Sequence, residues 1–174
     1  MKRRKAIQNL ALISAGMALL PGCDFEQWPV FENLMLEKDQ LRLVDQLTRA
    51  ILPQGGEGMP VVSTPEPTAH FVLRMVNDCY DARDARRYVA GLKLFQQYVQ
   101  DTYKTSFKSL NPQQHVLLLT EVQTDEHLPK SLKYFLSTTK NLSVRHFTTS
   151  EYFMKNHLRY EFAPGRYLGC VAES

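Results

Sequence analysis

The stretch ARDARRYVAGLKLFQQYVQDTY, Ala82–Tyr103, decides the fold. Ala85, Tyr88, Leu92, Phe95 and Val99 recur at steps of three and four, the period of one face of an α-helix. Asp81 stands just before the run as an N-cap, because its short carboxylate can accept from the free N–H groups of a first turn. Arg83, Arg86 and Arg87 fall off the stripe and alternate with Asp81 and Asp84, which reads as a solvated face. Twenty-two residues without a proline predict a helix long enough to organise a bundle.

Working outward from it, the same period returns on both sides. From Leu36 the chain turns helical, with Leu41, Val44, Leu47 and Ile51 on one face, and Pro53 stops it. Residues 54–68, QGGEGMPVVSTPEPT, form a loop by composition. Gly55, Gly56 and Gly58 follow a helix and precede prolines, which is the wrong setting for a phosphate-cradling turn. A loop this long in a small domain suits a partner-contact segment. Thr68 is expected to cap a short helix with Phe71, Val72, Met75 and Val76 inward. NPQQ (111–114) signals another helix start: a cap, a proline at the first helical position and a glutamine that reaches back. HVLLLTEV follows and is apolar enough to be central. Pro129 opens a helix with Leu132, Phe135, Leu136, Leu142 and Phe147 toward the core. EYFMKNHLRY is a last amphipathic piece, and Pro164-Gly165 makes the tail irregular. No run alternates as a strand does, and no repeat is visible. The expected fold is all-α: one compact domain of about five or six helices over residues 36–174, with irregular N- and C-terminal arms and residues 23–35 as a tether.

The ends read differently. The formal charge of +3 comes from Lys2, Arg3, Arg4 and Lys5; without residues 1–22, 17 basic side chains face 18 acidic ones. A near-neutral body is a poor binder of nucleic acid, whose affinity rests on clustered Lys and Arg. The basic cluster precedes LALISAGMALL (10–20), an apolar run too short to span a bilayer and of the length of a signal core. Residues 1–22 therefore read as a signal peptide and predict an exported, periplasmic protein. Arg3-Arg4 is a twin arginine, the address for export of folded chains. Ala6 stands where a large apolar residue is usual, which leaves ordinary unfolded-chain export open. Leu20, Gly22 and Cys23 resemble a lipobox, with Pro21 departing from it. Cys23 would then be acylated and hold the domain on a membrane. Of the three cysteines this leaves Cys79 and Cys170, either bridged, as an oxidising compartment allows, or two unrelated thiols.

Residue types offer little chemistry. His70, His115, His127, His146 and His157 form neither HExxH nor a zinc-finger spacing with cysteine, and no nucleophile elbow or Walker loop occurs. For an enzyme the best candidates are His146, His157, Arg159 and Arg166, with no proton path among them. No catalytic, cofactor-binding or metal-binding residue is assigned, which points to a binding subunit.

Four stretches carry a resemblance: LRLVDQLTRAILP (41–53), VLRMVNDCYDARDARRYVAGL (72–92), LKYFLSTTKNLSVRHFTTSEYFM (132–154) and LRYEFAPGRYLGC (158–170). The last has Tyr160, Pro164, Gly165, Tyr167, Gly169 and Cys170 in an unusual order. Together they resemble the gluconate 2-dehydrogenase subunit 3 family. The resemblance implies a non-catalytic small subunit of a membrane-associated, FAD-dependent sugar or polyol dehydrogenase. FAD would sit in the large partner subunit, a cytochrome c subunit would take the electrons onward, and the small subunit would support folding and twin-arginine export of the flavoprotein. Tyr160, Pro164, Gly165, Arg166 and Tyr167 are the docking candidates; the competing reading of that tail is a strap that closes the chain's own core. The rival functions are a lipid-anchored scaffold with another partner and an enzyme in its own right.

Overall fold

The computed structural model describes residues 28–53, 62–158, 160, 161 and 165. Six α-helices follow in order: α1 (Lys38–Ile51), α2 (Thr68–Cys79), α3 (Ala82–Tyr103), α4 (Pro112–Thr124), α5 (Lys130–Thr148) and α6 (Glu151–His157), with a 3₁₀ turn at Phe107–Ser109. No strand occurs among the described residues. The all-α expectation holds.

The helix starts follow from their caps. Asp81 accepts from the Asp84 N–H at 2.8 Å, and that bond holds its carboxyl below the ordinary range. Asn111 and Gln114 form a reciprocal capping box at 2.8 and 2.9 Å. Glu37 and Gln40 form another at the start of α1. The start of α2 differs from expectation. Pro67 occupies the cap position and Thr68 is already helical, its hydroxyl turned to a different partner described below.

Helix α5 packs against every other α-helix of the described residues, and its interface with α3 is the most extensive. All five stripe residues of α3 are buried, as are Leu132, Phe135, Leu136, Leu142 and Phe147 of α5. Phe135 lies between Tyr88 and Phe95, with ring centroids 5.0 and 5.5 Å away, inside the range of favourable aromatic pairs. The two helices meet most closely at Gly91. A Cβ there would overlap the Ser131 carbonyl oxygen and sit 2.7 Å from the Phe135 Cβ. Only a residue without a side chain lets α5 approach this far.

Two polar links lock α5 in rotation. Tyr88 Oη and Thr139 Oγ1 are 2.9 Å apart in the core, and Ser143 Oγ donates to the Thr139 carbonyl at 2.7 Å. On another face, His146 is buried and shares a 3.3 Å hydrogen bond with Thr68 Oγ1 of α2. Its ring stacks on Phe71 at 4.4 Å with 11° between planes. No buried side-chain nitrogen or oxygen among the described residues lacks a partner.

Several expectations change. The inward face of α2 is Ala69, Val72, Leu73 and Val76, and Phe71 and Met75 lie half-buried at its edge. Ile51 is likewise half-buried. Helix α4 is peripheral, not central: Leu118 and Val122, four apart, reach the core, while Val116 and Leu117 are each 65 % exposed. Consecutive residues on a helix point about 100° apart, so an unbroken apolar run cannot all face one neighbour. The tether expected over 23–35 is packed from Trp28 onward. Phe31 and Leu34 are buried. The Asn33 N–H donates to Asn77 Oδ1 at 3.0 Å, and Asn33 Nδ2 donates to the Asn77 carbonyl at 2.9 Å. Two apolar anchors and a paired amide suffice to fix a segment without any period. Just after them Met35 has φ 46°, the left-handed region, which costs a non-glycine residue about 1–2 kcal/mol.

Gly91→Ala would gain about 1 kcal/mol of helix propensity but must push α5 away, and overpacking costs roughly 1–3 kcal/mol or more. The expected result is a net loss in urea unfolding with a lowered midpoint. Burial depresses the His146 pKa from its ordinary 6.5, only partly opposed by the Glu66 carboxylate. A depressed folded-state value means the unfolded chain binds more protons in this window, so stability is full above about pH 6.5 and declines as the pH falls through it. Thermal unfolding at about pH 7 and about pH 5 should show this decline in the native protein and a smaller one in His146→Gln.

Candidate functional site

Arg3, Arg4, Cys23, Arg159, Pro164, Arg166, Tyr167 and Cys170 lie outside the described residues. Cys79 ends α2 and is exposed. The beginning of the tail is placed. Leu158 and Tyr160 are exposed, and the Tyr160 N–H donates to the Met154 carbonyl at 3.1 Å. A Cβ on Gly165 would meet nothing within 4 Å. Of the described residues there, Leu158 and Tyr160 lie outward and not in the core.

Helix α6 positions this tail. The Ser150 hydroxyl accepts from the Phe153 N–H at 3.3 Å and donates to the Phe147 carbonyl at 2.7 Å, so one side chain both ends α5 and starts α6. Phe153 packs edge-on against Phe147 at 5.0 Å, and His157 lies against Phe153 and Tyr152. None of the residues of α6 is buried. It is a shelf on the bundle, not a core element.

Of the enzyme candidates, His146 and His157 are described. His146 is held by Thr68 and Phe71, while His157 is exposed on α6. A hollow of about 590 Å³ beside them is lined by His146, Ser150, Glu151, Tyr152 and Lys155. Its only buried hydroxyl, Ser150, is committed to the cap. A hollow of about 1020 Å³ runs between α1 and α3 and is lined by Asp39, Arg42, Lys93, Gln96, Gln97 and Gln100. These are solvated helix faces, with no nucleophile–base pair at hydrogen-bond distance. Among the described residues no three His, Cys, Asp or Glu side chains are grouped to hold a metal ion. The basic run of α3 is exposed as expected, and Arg87 lies over the Tyr134 ring at 4.3 Å. The Tyr80 hydroxyl near its start is pushed up by burial and by Asp84. Of the loop 54–68, residues 62–67 are described: Thr64 Oγ1 donates to the Glu66 carbonyl, and Glu66 pairs with Arg74 at 3.0 Å.

What the molecule does offer is apolar surface on fixed supports. Val116 and Leu117 stand out from α4, Leu158 and Tyr160 from the end of α6, and Val30 and Met35 from the N-terminal turn. Sequence reading assigned the α4 pair to the core. The available signal was that Leu118 and Val122 already complete a stripe and leave their apolar neighbours unaccounted for.

Among the described residues no helix is long and apolar enough to cross a membrane. No curated protein and no solved structure matches the chain. The family model described as gluconate 2-dehydrogenase subunit 3 matches residues 38–165, from the first residue of α1 to the last described residue of the tail. The chain belongs to the gluconate 2-dehydrogenase subunit 3 family.

Proposed function

We propose that the chain is the non-catalytic small subunit of an exported, membrane-associated, FAD-dependent sugar dehydrogenase, and that it supports the folding and twin-arginine export of the flavoprotein subunit. The observation that carries this reading is the family match across residues 38–165. The outward apolar side chains on α4 and at the start of the tail suit a subunit that docks. FAD would sit in the large partner subunit, as the family resemblance implies. A cytochrome c subunit would accept the electrons.

The export logic is physical. A flavoprotein acquires FAD inside the cell and must cross the membrane folded. Without an address of its own it needs a bound companion that carries one, here Arg3-Arg4. Cys23, once acylated, would hold the pair at the membrane, and Cys79 would bridge Cys170 to fasten the tail. The docking surface comprises Tyr160, Pro164, Gly165, Arg166 and Tyr167 of the tail, with Val116 and Leu117 as a second patch.

Co-expression with the flavoprotein encoded beside it should yield a stable complex, while the isolated chain binds no flavin and reduces no dye. Arg3→Lys with Arg4→Lys should strand both subunits in the cytoplasm; undiminished export of the partner would sink the escort role. Val116→Asp with Leu117→Asp should weaken co-purification of the flavoprotein and leave the unfolding free energy within about 0.5 kcal/mol of the parent, since both side chains are exposed.

A further inference from the structure

We propose that the N-terminal turn is a second membrane contact, an apolar prong tipped by Val30 and Met35 that rests in the lipid interface and orients the helical body. This rests on the acylation of Cys23 proposed above. Val30 and Met35 are 83 % and 88 % exposed, more than any other large apolar side chain of the described residues. They are not on a loose end. Phe31 and Leu34 between them are buried, the Leu34 and Met35 N–H groups donate to the Phe31 carbonyl at 3.1 and 3.2 Å, and Asn33 is doubly bonded to Asn77. Met35 holds a left-handed backbone that glycine or asparagine would adopt more easily. Neither its side chain nor that of Val30 serves the core, so the turn holds two apolar groups in solvent against both hydration and backbone preference.

The tether length says what covers them. Four residues separate Cys23 from Trp28, and an extended chain advances at most about 3.6 Å per residue, which puts Trp28 within about 18 Å of Cys23. An acyl group in the hydrocarbon fixes Cys23 at headgroup depth, so the turn stays next to the bilayer surface. Trp28 fits that place. Its ring is half-buried against His70 at 4.7 Å and shares a hollow of about 630 Å³ with Val30, Met35 and Leu36, and indole rings favour the lipid–water boundary. Glu32 and Glu37 are exposed beside the prong and outnumber Lys38, which lines the same hollow, so the charges favour zwitterionic over anionic headgroups.

Trp28 is the only tryptophan of the chain, so its fluorescence reads this turn alone. The acylated mature protein, reconstituted in phosphatidylcholine–phosphatidylethanolamine vesicles, should be quenched by bromine placed near the glycerol end of the lipid chain and spared by bromine near the methyl end. Val30→Asp with Met35→Asp should abolish the quenching while the protein stays vesicle-bound. Met35→Gly should reduce it without lowering the thermal midpoint, because it relieves the positive φ. Unquenched Trp28 in the bound native protein overturns the proposal, as do Asp variants that stay quenched or that instead release the flavoprotein. Mass spectrometry of the mature N-terminus reports separately on the anchor. Should Cys23 prove unmodified, the same chain carrying a hexahistidine tag directly before Asp24, held on nickel-chelating lipid, supplies the surface. Quenching there sustains the prong without the native anchor, and its absence overturns it.

Discussion

The structure depends on one close approach, the backbone of α3 against the first turn of α5 at Gly91. With no side chain between them, the Ser131 carbonyl and the Phe135 side chain come in to where Tyr88 and Phe95 can grip the Phe135 ring. That seating decides which face of α5 is left for the other helices. The Thr139 hydroxyl then meets Tyr88, and His146, further along, meets Thr68 of α2. Dispersion contacts and hydrophobic burial supply most of the cohesion. The buried polar pairs fix the rotation, because a misrotated α5 would leave Tyr88, Thr139 and His146 without partners in a dry interior.

How much of this could be read from residues differs by element. The stripes of α3 and α5 and the caps at Asp81 and Asn111 were legible, because a single helix imposes its own period and its own free N–H groups. The role of Gly91 was not. A glycine beside a stripe looks the same whether it is incidental or the point of contact, and only the position of Ser131 tells them apart. Helix α4 misled for a related reason: its apolar run reports hydrophobicity, but which residues meet α5 is set by the bundle. The N-terminal turn carried no period at all, and its place on the core depends on Asn77, 44 residues away from Asn33. Of the candidate site, Tyr160 was already a docking candidate from sequence, with a strap as the alternative, whereas Leu158 was not singled out, because its exposure depends on where α6 ends on the bundle.

Polar groups in the described body serve internal order. Titratable side chains in the interior are committed: Tyr88 to Thr139, His146 to Thr68 and Phe71, His115 to the Phe107 carbonyl at 3.0 Å. The hydroxyls of Thr120, Thr124, Thr148 and Ser150 return to carbonyls of their own or the preceding helix. The surplus lies instead in apolar surface, displayed on α4, at the end of α6 and at the N-terminal turn. A protein that spends its polar groups on internal order and leaves hydrophobic side chains outside is complete only with something laid against it.

The Asn33–Asn77 pair has a mechanical meaning as well. Were the chain suspended from its N-terminus as proposed above, a pull from the membrane would enter the body at Trp28. It would reach the two amide hydrogen bonds, and the Phe31 and Leu34 side chains seated beside them, before it reached α1. Those bonds would pass the tension sideways to the end of α2. In that arrangement the long axis of α1 would be spared, the arm acting as a strain relief between anchor and bundle.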